Sequence, residues 1–571
     1  MSRRWRSTWF ALLALLLSVT SSSAQGVDTA SQFKPLPQEV AREVVGLYNA
    51  PAVLKSTSKV AIPAGRTITG DVAVLNGPLT IGGRVIGRVL AINSDVILEA
   101  GARIDGDLLV VGGEVEGLDR AQVGGETRVY HPALRYTTSG DDLVAETQGA
   151  SDVQWWRRWE LRGQRSSNRL DIATAGVYSR VEGLPVRIGP VLYRDQGWGH
   201  LRFESAAILR TASSFSSSKA DVGHDLQAEL RVGREHGATF AARLFDMVDG
   251  VETWQLTDVE TSLGAFILHR DYRDYFERHG GRLSAALRAS ENADLTLGYS
   301  DERWSSRDTR DPFSLFRDGE LWRTNSHVDD GRFHVANLTL RVDTRNDDFN
   351  PLAGWYVLAD FERGAGQIDK AGPTSAGLTA STIGSTRYQR GFLDVRRYNR
   401  LGPSSALNLR VVLGGWLSGD PLPLERRLSI DGPGTVPGFP FRVIGGTDIG
   451  TCGVGTPLPG RPAQCERISL AQLEYRSDIR LSRTVGGAND RHIRFRADGA
   501  WVFFTDAGRG WTVNAPPSPL NYRRTELPPL STYRTDIGTG LDFDVFGMYV
   551  AKALSDPAQP LSFFLRVRHR F

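Results

Sequence analysis

The stretch Ser562–Phe571, SFFLRVRHRF, decides how the chain is read. Successive side chains of a β-strand point to opposite faces. As a strand, this stretch sets Phe563, Leu565, Val567, His569 and Phe571 on one face, against Phe564, Arg566, Arg568 and Arg570 on the other. A mostly apolar face is backed by a row of arginines, and the strand is expected to run flush to its aromatic end. The alternation suits a soluble sheet edge as well as a strand with lipid on one side. Features elsewhere in the chain must separate the two.

The first of these is at the N-terminus. Arg3, Arg4 and Arg6 precede an apolar run from Trp9 to Val19, and Ser21, Ser22, Ser23 and Ala24 follow. That order is a secretory signal over residues 1–24, with cleavage expected after Ala24. The run is too short to anchor a helix in a bilayer, and no later stretch of about 18 apolar residues occurs. An exported chain without such a helix, ending in Phe571, resembles the bacterial outer-membrane β-barrels, whose terminal Phe is read during assembly. The implied location is the outer membrane of a Gram-negative-type bacterium, with the N-terminal part in the periplasm.

Composition agrees with strands and turns: 61 glycines and 13 tryptophans stand against 3 methionines among 571 residues. The net charge of +3, from 68 basic and 65 acidic residues, gives no reason to expect nucleic acid. Cys452 and Cys465 lie close together in a Gly/Pro-rich segment, which suggests one disulfide pinning a loop, worth roughly 3 kcal/mol in the entropic picture.

Between Lys59 and Tyr130 the chain repeats: GDVAVLNG from Gly70, GRVLAINS from Gly87, GDLLVVGG from Gly106 and GETRVY from Gly125. Short β-branched runs with glycine corners at this period predict one coil of a β-solenoid per unit, with Leu75, Leu90 and Val110 stacked as a buried ladder. The stretch resembles the bactofilin-like, polymer-forming β-helical domains, which implies self-association through the solenoid. Residues 25–58 read as a linker with a short helix around Gln38–Leu47. Residues 131–167 read as a second linker, whose cluster Trp155, Trp156, Arg157, Arg158 and Trp159 suits a membrane interface.

From 168 to 571 the chain shows alternating segments of about ten residues, the signature of transmembrane strands. Ala336, Leu338, Leu340 and Val342 oppose Asn337, Thr339, Arg341 and Asp343; Ala471, Leu473 and Tyr475 oppose Gln472, Glu474 and Arg476. At roughly 25 residues per strand and connection, this length predicts an all-β fold: an antiparallel transmembrane barrel of about 16 strands preceded by the solenoid. Periodicity does not say which face is inside; the signal and terminal Phe argue for charges in the lumen.

Several segments resemble the BamA/TamA-like family, the bacterial surface antigen barrels. Tyr178–Leu184, YSRVEGL, looks like their opening strand. Arg341–Trp355 resembles their D-x-R…P-x-x-G turn, and Phe504, Asp506 and Gly508 match their F-x-D-x-G motif. In that family a long loop folds into the lumen and its V-R-G-F tip meets this motif. Here the tip is Val436, Pro437, Gly438 and Phe439, with proline in place of arginine. Arg442 is the expected substitute partner for Asp506. The resemblance implies insertion or translocation of unfolded outer-membrane or secreted client proteins, through a seam between the first strand, near Tyr178–Pro190, and the closing strand. No mixed α/β periplasmic module of the family's kind is legible before residue 168. A transport pore without assembly activity, or a structural envelope protein anchored through the solenoid, therefore stays open.

Catalytic signatures are missing: there is no G-x-S-x-G, no H-E-x-x-H and no phosphate-binding loop. No enzyme activity, cofactor or metal is expected, and the partners expected are outer-membrane lipid and client chains.

Overall fold

The computed structural model describes residues 38–57, 59–130, 134, 136–139, 142–145, 159–163, 166–196, 198–212, 221–233, 237–290, 292–345, 351, 353–372, 383–402, 405–440, 465–486, 492–513, 521–522, 526–543, 546–567 and 569–571. The expected signal, Arg442, Cys452 and residues 155–158 of the aromatic cluster lie outside them.

The repeats form a three-sided parallel β-solenoid. One side has five strands and two have four, each strand pairing with its counterpart one coil away. Side chains of Val72, Val74, Val89, Ala91, Leu108 and Val110 fill the interior. The alternate residues Ala73, Leu75, Leu90, Ile92, Leu109 and Val111 are also buried, but on the outside, beneath Val40, Val44 and Tyr48 of α1 (Gln38–Asn49) and Leu134 and Leu143. Burial on both faces explains why these strands read as continuous apolar runs.

The expected ladder needs correction. Leu75 pairs with Ile92 and Ile92 with Val111, whereas Leu90 pairs with Leu109 and Val110 points into the interior. The glycine corners are required by close approach: a Cβ on Gly87 would lie 2.4 Å from the Gly70 carbonyl oxygen. The solenoid ladder begins at Leu54, ahead of the expected residue 59, and α1 and the hairpin of Tyr136–Ser139 with Asp142–Ala145 turn parts of both expected linkers into structure.

The rest is one sheet of 18 strands. Setting aside the short strands Trp159–Gly163 and Asn521–Tyr522 leaves the 16-strand antiparallel barrel wall. Its polarity is apolar-out. Leu338, Leu340, Leu473, Tyr475, Ile537, Phe563 and Leu565 are exposed, while Thr339, Gln472, Glu474, Arg476, Asp536 and Asp542 are buried in the lumen. Turning a Lys or Arg to mid-bilayer lipid would cost about 2–4 kcal/mol, so the charges gather inside and pair there. Arg410 and Arg396 share Asp394, Arg278 bridges Asp249 and Glu302, and Arg476 meets Asp542.

Connections at one end are short, two residues between Gln196 and Gly199 and between Ser290 and Ala293; at the other they are long, notably 251–274 and 307–329. The long ones cap the barrel. Arg180 is fully buried against Asp271, Asp274 and Asn325, and Tyr178 packs edge-on against Phe266 of α2 (Asp258–Leu268). Tyr178–Leu184 is therefore part of this cap, closed by a bridge between Ser179 and Gly183, and not the opening strand. That strand is Ser166–Thr174, and the one after it is Pro185–Gln196.

Candidate functional site

The described first part of the connection between Gly419 and Arg467, residues 420–440, reaches into the lumen and seats Val436–Phe439 on the inner wall. Glycines at 432 and, with φ 99°, the non-glycine Asp431 turn the chain, and Asp431 is held by the Thr435 hydroxyl, which accepts its N–H at 2.8 Å, and by the Arg534 guanidinium. Val436 and Phe439 are buried with Ile430, Leu428, Ile468, Leu470 and Ala553. Pro437 is buried beside them. Two motif glycines make the approach possible. A Cβ on Gly438 would stand 2.7 Å from Asp536 Cβ, and one on Gly508 would stand 2.9 Å from Val436 and Ile430 side-chain carbons. The Gly438 N–H donates to Asp536 Oδ2 at 2.6 Å.

Asp506 is buried next to this seat, opposite Asp536 in register. Gln472 Nε2 donates to it at 3.2 Å and to the Thr435 carbonyl at 2.8 Å, tying the wall to the loop. Its cation is Arg570, whose guanidinium bonds Asp506 Oδ2 and lies 3.6 Å over the Phe504 ring. Arg442, the expected partner, lies outside the described residues. The cation on this carboxylate comes from near the C-terminus and not from the described tip, where Pro437 stands.

That arrangement requires the chain end to leave the wall. The closing strand stops at Val567 and pairs with Phe546–Ala553 through Ser562–Val567 only. Phe563 and Leu565 face outward as expected. Beyond the strand, His569 Nδ1 lies 2.7 Å from Asp542 Oδ2, Arg570 is 1% exposed, and the Phe571 carbonyl accepts from Tyr398 Oη at 3.1 Å. The expected flush strand with His569 and Phe571 on its lipid face is thus overturned: desolvated carboxylates in the lumen draw His569 and Arg570 inward.

The sheet runs in linear order from Trp159–Gly163 to Ser562–Val567, and no pairing joins its two ends among the described residues. The closing strand is held by side chains. Arg566 Nε lies 2.5 Å from Glu260 Oε1 on α2, and Arg566 Nη1 donates to the Pro433 carbonyl at 2.8 Å. The same Glu260 carboxylate closes a capping box with Thr257 at the start of α2.

Sequence reasoning picked out Val436, Gly438, Phe439, Phe504, Asp506 and Gly508; in the structure Val436 lies against Gly508, and Gly438 against Asp536, the residue opposite Asp506. It did not find Glu260, Arg566 as an anchor, Arg570 or Asp536. A capping box T-x-x-E at Thr257–Glu260 was the one local signal for the helix. Cys465 is buried and forms an antiparallel bridge with Leu428 at the root of the loop. Its pairing with Cys452 remains a proposal.

Among solved structures, the fold is similar to BamA from Haemophilus ducreyi lacking POTRA domains 1–3, at 14% identity and TM-score 0.38, over 71% of this chain and 70% of that one. CdiB from Acinetobacter baumannii matches at 10% identity and TM-score 0.29, over 76% of this chain and 65% of that one. CdiB from Escherichia coli matches at 12% and 0.30. No match was found among curated proteins. Residues 223–545, more than half of the chain, match the Omp85 superfamily domain. The chain belongs to the Omp85 superfamily and is an outer-membrane β-barrel.

Proposed function

We propose that the barrel inserts or translocates client proteins at the outer membrane by exchanging strand pairs at its unpaired seam. The observation that carries this reading is the linear sheet order, in which, among the described residues, the edges of the first strands and of Ser562–Val567 do not pair with each other. Unsatisfied strand edges seek partners, and an extended client segment supplies them. The short turns lie at the end where the chain enters the barrel, and short turns face the periplasm in such barrels. On that basis the solenoid is periplasmic, where it stands in place of the modules that receive clients in similar proteins.

A steady pore is less favoured because loop residues 430–439 and the C-terminal residues 569–571 occupy the lumen. The test is depletion in the native host. Loss of other barrels or secreted proteins from the outer membrane is the expected result. Unchanged levels of these proteins, with stable conductance from the purified barrel in planar bilayers, would overturn it.

A further inference from the structure

The lower end of the closing strand is not bare. Val567 stands opposite Phe546, yet its N–H donates to Glu260 Oε1 at 2.9 Å. The acceptor is a side-chain carboxylate where a further strand would place a carbonyl. Glu260 and Arg566 are nearly excluded from water, with side chains 7% and 5% exposed. One carboxylate therefore joins three elements: the first turn of α2, the closing strand, and, through Arg566 and the Pro433 carbonyl, the turn of the lumenal loop.

We propose that α2 is a bolt on the seam: Glu260 occupies the backbone donor that a client strand must take, and the seam accepts a strand only when α2 withdraws. This rests on the reading of the seam as the place of client pairing. A carboxylate accepting from both a backbone N–H and a guanidinium makes strong, charge-assisted bonds, so a neutral peptide carbonyl does not displace it unaided. Because Arg566 also grips Pro433, movement of the lumenal loop and release of the bolt are coupled. Glu260 acts through position, not through chemistry on a client.

Two measurements on the full-length barrel separate the bolt from the seam. The first is hydrogen exchange over 562–567. Glu260→Ala is expected to speed exchange at Val567 by about tenfold or more, and Glu260→Gln by less, since an amide oxygen still accepts. Thr257→Ala, which weakens the helix cap without touching the strand, is expected to change it little. The second is disulfide capture of a synthetic peptide of Ser166–Thr174 sequence, with cysteine in place of Ile172, by Leu565→Cys barrels. Capture is expected to be faster with Glu260→Ala than without it. Exchange at Val567 unchanged in both Glu260 variants would overturn the bolt. Faster exchange with no gain in capture would leave Glu260 as a strand clamp and overturn the seam reading on which the bolt's role depends.

Discussion

Replacing Arg570 by methionine removes the cation from a site that buries two carboxylates, Asp506 and Asp536, facing each other in register. The Asp506 carboxylate then keeps the Gln472 amide at 3.2 Å and the hydrogen bond it shares with the Asp536 carboxyl. Breaking a buried pair by removing one partner costs about 3–5 kcal/mol, and loss of the guanidinium from the Phe504 face adds about 1–2 kcal/mol. Asp506→Asn is milder, because Arg570 retains Phe504 beneath it and Glu474 at 4.0 Å. The double variant removes both charges, so it is expected to regain about 2 kcal/mol relative to Arg570→Met alone. The assay is urea unfolding of the folded barrel in detergent, followed by the shift in gel mobility between folded and unfolded forms. Protease access to 430–439 reports whether the loop tip lifts with Arg570. A double variant that loses the full sum of the two single losses would refute the pairing.

Three further outcomes follow from packing and charge. Gly438→Ala is expected to destabilise the seated loop by about 1–3 kcal/mol and to raise its protease sensitivity, since the added Cβ meets the Asp536 side chain and the Ala553 backbone. In the solenoid, Gly87→Ala is expected to lower the urea midpoint of that domain by a similar overpacking loss, while Gly46→Ala in α1, with nothing within 4 Å of the new Cβ, should raise it. Burial in the connection 175–184 pushes the Glu182 carboxyl up to about 6, against the pull of Arg210. The folded state then holds the proton more tightly than the unfolded one, so this contribution is complete below about pH 4.5 and is lost as pH rises through about 6, a change on the order of 2 kcal/mol. Amide protection of residues 175–184 should fall across that window, and Glu182→Gln should flatten the profile.

The barrel was legible because a wall between lipid and a polar lumen imposes a strict period of two, and segments such as Ala471–Arg476 carry it undisturbed. The opening strand was not, because Ser166, Ser167, Asn168, Arg169 and Asp171 make it too polar to stand out from a linker. The end of the closing strand misled for a different reason. His569, Arg570 and Phe571 continue the alternation of a strand, and only the distant carboxylates Asp542 and Asp506 show that they turn inward. In the solenoid the spacing held the register: Leu75 meets Ile92 and then Val111 because each coil carries its neighbour by one repeat, so Leu90 falls out of that ladder. The site was half visible. Contact motifs gave the loop tip and its wall, whereas Arg570 and Glu260 reach their partners across long sequence distances with no local signature beyond the cap of α2.

The seam between the first and last strands must stay free to take a client strand. A cysteine at Ile172 on the first strand and one at Leu565 on the closing strand, joined by a thiol crosslinker with a reducible spacer, would lock it. Both positions face outward, with Ile172 42% and Leu565 63% exposed, so neither change disturbs the lumen. The crosslinked barrel is expected to stop assembling other outer-membrane proteins and to regain activity on reduction. Assembly that proceeds unchanged through a fully locked seam would contradict this expectation.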